Sequence, residues 1–194
     1  MKKIGILVLA IAFITMSFVN PIIQKEDVLK VDATNSTINW KGYKPTGSHN
    51  GTINLVSGDL KMEEGVVEGG SFIVDMSTVK DADGSAKLEG HLKSADFFDV
   101  EAYATSKFDI TNSSTKDGKT FITGDLTIKG VTKQISFSAT VVETDEVVTL
   151  TSETFQINRA GFNVKYKSKT FFNNLKDKFV NDEFDLQVNI IAAK

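Results

Sequence analysis

Residues 122–141 read ITGDLTIKGVTKQISFSATV, and this stretch decides the fold. Before Lys129-Gly130 every second residue is apolar or glycine, and from Ile135 onward every second residue is apolar. Alternation with a period of two is typical of a β-strand with one dry and one wet face. Lys-Gly between two such runs indicates a tight turn. The stretch therefore predicts a β-hairpin in which Phe137 faces the interior and the small Ala139 beside it leaves room.

The same alternation recurs before and after this hairpin, around residues 38–40, 53–55, 72–76 and 184–190. Asp117-Gly118 indicates a second hairpin, since a type I′ turn needs positive φ at both central residues. One polar face on every strand is typical of antiparallel sheets. The sequence therefore predicts an all-β, antiparallel barrel or sandwich, and we interpret it as a barrel of roughly eight strands.

Two segments have helical spacing instead, Leu88–Leu92 and Phe172–Phe179, and they predict one or two short helices between strands. A barrel of about eight strands is either filled by its own side chains or holds one slim ligand. The pattern alone does not separate these two possibilities.

The amino terminus predicts export. Lys2 and Lys3 precede an apolar run over residues 4–19, which is typical of a signal peptide, here assigned to residues 1–24. The small-x-small cleavage pattern is missing around Ser17, so an uncleaved anchor stays open. No cysteine occurs, which excludes a lipoprotein and a disulfide-supported fold. We expect one folded domain, residues 28–194, in the periplasm or outside the cell.

Composition and motifs exclude several classes of function. The formal net charge is -3, and no basic cluster stands out, so nucleic acid is not expected as a partner. The sequence has no Gly-x-Ser-x-Gly elbow, no phosphate loop and no zinc motif, and its two histidines make a poor metal site. We therefore predict no catalytic residue, no metal and no cofactor.

Four segments resemble the YceI-like family, the bacterial lipid- and polyisoprenoid-binding proteins. They are KPTGSHNG at 44–51, LEGHLKSADFFDV at 88–100, GDLTIKGVTK at 124–133, and INRAGFNVKY at 157–166 with FVNDE at 179–183. The chain departs from the family pattern at Ala104 and Asn163, where proline and glycine are usual. These departures do not change the predicted fold, but they weaken the inference of this chain's ligand from the ligands of the family.

The resemblance implies a lipocalin-like barrel around an elongated apolar channel, and a ligand with a long isoprenoid or acyl chain. We expect the protein to bind, store or transport such a lipid in the cell envelope, and to touch a membrane only for ligand exchange. The oligomeric state, monomer or homodimer, stays open. Two alternatives are an enzyme that uses His49 or His91 as acid or base, and a filled barrel with a structural role.

Eight residues are predicted to contact the ligand. They are Trp40, His49, Phe72, His91, Phe97, Phe98, Phe137 and Arg159. Several have an alternative role, since Trp40 also suits the core and each histidine also suits a loop-fixing hydrogen bond. Of the adjacent Phe97 and Phe98, we expect one to line the channel and the other to cap the barrel.

Arg159 is the only arginine of the chain, which makes it a candidate bidentate partner for a phosphate or carboxylate head group. The alternative is a partly buried salt bridge to Asp182 or Glu183. The sequence leaves both open.

Overall fold

The computed structural model describes residues 27–194, and the predicted signal segment lies outside the described residues. The described part of the chain forms ten strands, one α-helix and two 3-10 turns. The strands are β1 Asp27–Val31, β2 Thr37–Lys44, β3 Gly47–Glu63, β4 Val66–Asp81, β5 Thr105–Lys116, β6 Lys119–Ile128, β7 Val131–Glu143, β8 Val147–Ser152, β9 Phe155–Asn158 and β10 Glu183–Ala193. The helix is α1 Ala86–Lys93, and the 3-10 turns are Arg159–Phe162 and Lys176–Lys178.

The strands close into a ring. Seven consecutive strands, β2 to β8, pair in chain order, and β10 closes the ring by pairing with both β2 and β8. The short β1 pairs with β3 and β10, and β9 pairs with β10 beyond the end of β8. All pairings are antiparallel, so the prediction of an eight-stranded antiparallel barrel is confirmed. Closure leaves the ring without a free edge.

The two predicted hairpins form with the predicted turn chemistry. Lys129 and Gly130 have φ of 50° and 71°, and Asp117 and Gly118 have φ of 52° and 76°. Across the first hairpin, Ile122 pairs with Phe137, so their side chains share one face of the sheet. That face is the interior of the barrel, as the alternation predicted.

Of the two predicted helices, only the first forms. Ser85 caps α1 by accepting a 3.3 Å hydrogen bond from the Leu88 N–H, which supports the start of the helix. The second prediction was wrong, because residues 172–179 contain only the 3-10 turn Lys176–Lys178. Helical spacing signals a buried stripe, but Phe172 is exposed and the segment runs over the end of the barrel instead.

One end of the barrel is a packed core rather than a channel. Leu60, Met62, Val67 and Val148 are almost completely buried there. Ala139 faces inward as predicted, but it is 1% exposed and belongs to this packed cluster. The expectation that it leaves room was therefore wrong, since Ala139 does not line the apolar cavity of the barrel.

Close strand contact at Gly51 provides a stability prediction. A Cβ at this position would lie 1.8 Å from the Lys80 carbonyl oxygen. We expect Gly51→Ala to lower the free energy of unfolding by about 1–3 kcal/mol, because the backbone must shift to make room for the added methyl group. A Cβ on Gly42 of the paired strand β2 would meet nothing within 4 Å. Gly42→Ala should therefore stay within about 0.5 kcal/mol of the parent. Urea unfolding measures both, and equal losses would contradict the strand packing.

Candidate ligand-binding site

An apolar cavity of about 190 Å³ occupies the other half of the barrel. All eight strands of the ring contribute side chains to its wall, most of them aliphatic or aromatic. The polar lining residues in the described chain are Ser106, Arg159 and Asn181. A cavity of such size with an apolar wall stays dry and takes up apolar molecules. The barrel is thus not filled by its own side chains.

A row of phenylalanine rings crosses the cavity wall. Phe72 lies 6.4 Å from Phe108, Phe108 lies 5.7 Å from Phe137, and Phe137 stacks on Phe155 at 4.4 Å between ring centroids. Trp40 also lines the cavity, and its indole N–H donates to the Thr52 carbonyl at 3.3 Å. The predicted Trp40, Phe72 and Phe137 are therefore all in the wall.

The sequence reasoning missed two rings of this row. Phe108 lies in the alternating run FDI of β5, and this pattern could have identified it as an interior residue. Phe155 belongs to the four-residue strand β9, which is too short for alternation to be read.

The cavity is capped at one end by α1 and the loop that follows it, together with the loops that contain Arg159 and Asn181; these segments form the cap. Leu92, Phe97 and Phe98 line the cavity from this cap, and the two phenylalanine rings meet edge to face at 5.0 Å. The expectation that only one of them lines the cavity was wrong. It assumed that adjacent side chains point to opposite sides, as they do in a strand. Phe97 and Phe98 lie in a turn instead, in which the Phe97 N–H donates to the Ser94 carbonyl and the Phe98 N–H donates to the Leu92 carbonyl.

Arg159 is buried in the cap, where it lines the cavity and ties the loops together. Its guanidinium donates to three backbone carbonyls, those of Val164 at 2.8 Å, Val180 at 2.9 Å and Asn181 at 2.9 Å. It also pairs with Asp182, whose carboxylate oxygen lies 3.4 Å away. The structure therefore shows the salt bridge to Asp182 that the sequence offered as the alternative, whereas the role as partner of a head group stays a prediction.

The charges of this pair have opposite effects on its two pKa values. Burial lowers the pKa of Arg159, and the carboxylates of Asp182 and Glu183 partly oppose the shift. Burial raises the pKa of Asp182, but hydrogen bonds from Ser168 and Thr170 and the charge of Arg159 outweigh it and lower that pKa overall. Arg159 and Asp182 thus form a buried ion pair beside the apolar cavity, with the guanidinium in the cavity wall.

Neither histidine reaches the cavity. His49 lies on β3 near the barrel end, with its Nδ1 3.8 Å from a carboxylate oxygen of Asp81. His91 packs behind the cap, with its ring centroid 4.3 Å from that of Tyr166 and 6.1 Å from that of Phe97. The predicted ligand contacts at His49 and His91 are therefore not brought to the cavity wall.

His49, Asp81 and Asp83 place one ligand atom each within 4.8 Å of one another, a grouping that could hold a metal ion. The Lys44 ammonium lies 3.2 Å from His49 Nε2. His49 Nδ1 and the Asp81 carboxylate oxygen that faces it at 3.8 Å are both buried, and neither atom makes a hydrogen bond within the described part of the chain.

The sequence matches the family described as the YceI-like domain over residues 29–192. The chain belongs to the YceI-like family. Curated relatives include a protein named UPF0312 from Pseudomonas putida, 37% identical over 91 residues, or 46% of this chain and 47% of the relative. A protein of the same name from Vibrio campbellii is 32% identical over 120 residues, or 59% of this chain and 62% of the relative. The match thus spans about half of the Pseudomonas relative's length.

Solved structures share the fold of this YceI-like protein. Burkholderia cenocepacia BcnA superimposes with a TM-score of 0.69 at 19% identity, over 84% of this chain and 99% of BcnA. A polyisoprenoid binding domain from Saccharophagus degradans gives 0.63 at 13% identity, over 87% of this chain and 99% of that domain. The Campylobacter jejuni YceI protein gives 0.54 at 16% identity, over 100% of this chain and 99% of that protein. These likenesses confirm the fold predicted from the family resemblance.

Among residues 27–194 there is no helix with the length and apolar character needed to cross a membrane.

Proposed function

We propose that this YceI-like protein binds one long-chain apolar molecule in its barrel and stores or transports it in the cell envelope. The observation that carries the proposal is the apolar cavity, walled by all eight strands of the ring and bounded at the cap by the buried charge of Arg159. A polyisoprenoid, an isoprenoid quinone and a fatty-acid derivative share the required chemistry, an apolar chain with a polar end.

The physical reason for such a carrier is the cost of an apolar chain in water. Each CH₂ group moved into an apolar interior is worth about 0.8 kcal/mol. The cavity wall, with the ring row from Phe72 to Phe155, replaces the acyl region of a membrane as solvent for the chain. Ser106, Arg159 and Asn181 then supply the few polar groups that orient a ligand in sites of this kind.

Two further observations support the proposal. One solved structure of the same fold is a polyisoprenoid binding domain. The charged and apolar run at the amino terminus is typical of an exported protein, which supports a periplasmic or secreted location. We propose binding rather than catalysis, since the titratable group in the described cavity wall is Arg159, which is held by three carbonyls.

The single tryptophan of the chain, Trp40, lines the cavity and reports on its occupancy. We expect titration with saturated fatty acids of increasing length to change Trp40 fluorescence. The dissociation constant should fall about fourfold per added CH₂ until the cavity is full.

As a control, the double variant Trp40→Phe, Phe121→Trp moves the reporter to the exposed outer face of β6, where fluorescence should not respond. An affinity without chain-length dependence, or an equal response from position 121, would refute binding inside the barrel.

A further inference from the structure

A basic segment, residues 165–178, crosses the outside of the capped end. It contains Lys165, Lys167, Lys169, Lys176 and Lys178 but a single acidic residue, Asp177, so its formal charge is +4. Because the whole chain carries -3, the residues outside the segment carry -7. The expectation of no basic cluster was therefore wrong, because the lysines alternate with other residues and do not form an unbroken run.

The lysines of this segment are available for a partner. In the described part of the chain, none of the five ammonium groups lies in an ion pair with a carboxylate. Several lie over aromatic rings instead, as Lys165 does over Phe171 at 5.2 Å. A cluster of positive charges without counter-ions attracts an anionic surface.

The basic segment also exposes two adjacent phenylalanine rings. Phe171 is 40% exposed and Phe172 is 48% exposed. Phe172 lines an open cleft on the outside of the cap together with Lys129, Lys165 and Lys167. Exposed aromatic rings among lysines are typical of surfaces that enter the head-group region of a bilayer.

The segment is joined directly to the wall of the cavity. The Val180 N–H donates to the Lys167 carbonyl at 2.9 Å, and Val180 itself lines the cavity. Tyr166 packs on His91 and lies 6.3 Å from Phe97, a lining residue of the cap. The basic segment therefore lies directly against Val180, a residue of the cavity wall.

We propose that this end of the barrel docks on a bilayer containing anionic phospholipid, with the lysines of the basic segment against the head groups and Phe171 and Phe172 inserted between them. That docking serves ligand exchange rests on the proposed function. Docking itself can be measured without any ligand, so its test is independent of that function. The alternative partner is an acidic protein. Such a partner would explain the lysines but not the two exposed phenylalanines beside the capped end of an apolar cavity.

The test uses the full chain with a tryptophan at Phe172 or, as a matched control, at Phe121, which is 47% exposed on strand β6. Each variant is mixed with vesicles of phosphatidylglycerol and brominated phosphatidylcholine. We expect quenching and a blue shift for Phe172→Trp but not for Phe121→Trp. Equal quenching at both positions, or at neither, overturns the proposal, even if the amino-terminal segment binds the vesicles.

Charge is tested in the Phe172→Trp background. Replacing Lys165, Lys176 and Lys178 by glutamine should weaken vesicle binding on the order of tenfold or more. Replacing the exposed Lys30, Lys116 and Lys133, with the same change in net charge, should change it less than twofold. Equal losses in the two triple variants, or polyglutamate binding as tight as vesicle binding, would overturn the proposal in favour of a general or protein-directed anion surface.

Discussion

Replacing Gly42 by phenylalanine should empty the barrel without unfolding it. Gly42 lines the cavity, and its neighbour Tyr43 accepts a 2.9 Å hydrogen bond from Asn181 of the cap. A Cβ at Gly42 meets nothing within 4 Å, so the added ring enters open space. We expect co-purifying lipid to fall on the order of tenfold or more, because the ring occupies the volume that the ligand chain needs. Melting temperature should hold or rise, since a buried phenylalanine is worth about 1.5–3 kcal/mol.

The matched control is Val142→Phe, which adds a ring to an exposed position on the outer face of β7. This variant should keep both its lipid and its stability. If Gly42→Phe keeps its lipid in full, the cavity is not the binding site. If it loses several degrees of melting temperature instead, the space beside Gly42 is already filled.

Arg159→Met should destabilise the protein by about 3–5 kcal/mol, the cost of breaking a buried ion pair from one side. The variant leaves the carbonyls of Val164, Val180 and Asn181 without their guanidinium donor and leaves Asp182 without its counter-ion. Because these carbonyls belong to the loops over the cavity, the loss should appear in urea unfolding and in ligand retention together.

Lys107→Met gives the comparison for a charge pair on the surface. Lys107 pairs with Asp109 at 2.9 Å, and both side chains are exposed. Its removal should cost less than about 1 kcal/mol. Similar losses in the two variants would show that Arg159 does not hold the cap.

The alternation in residues 122–141 was enough to predict which side chains face the interior, because the period of a strand is local, but it fits a barrel and a sandwich equally. It placed Phe137 in the wall and Ala139 inside, but it could not tell the cavity half from the packed half. That division depends on how side chains from eight strands fill the space, which no single segment contains.

The ends of the barrel were predicted least well. His49 and His91 were predicted to contact the ligand, but both lie outside the cavity. His49 lies beside Asp81, and His91 packs on Tyr166. The segment 172–179 has helical spacing but covers the barrel end as an irregular loop. Loops over a barrel end are fixed by long-range contacts, such as the three carbonyls around Arg159, and the sequence pattern does not show them.

Mass spectrometry of an organic extract of the purified protein tests the central claim most directly. The parent protein should yield a long-chain lipid at roughly one molecule per chain, since the barrel cavity is proposed to hold one ligand. The Gly42→Phe variant, purified from the same cells in the same way, should yield almost none of it. An extract of the parent protein with no apolar species above the level of the Gly42→Phe extract would contradict the claim that this barrel carries a lipid.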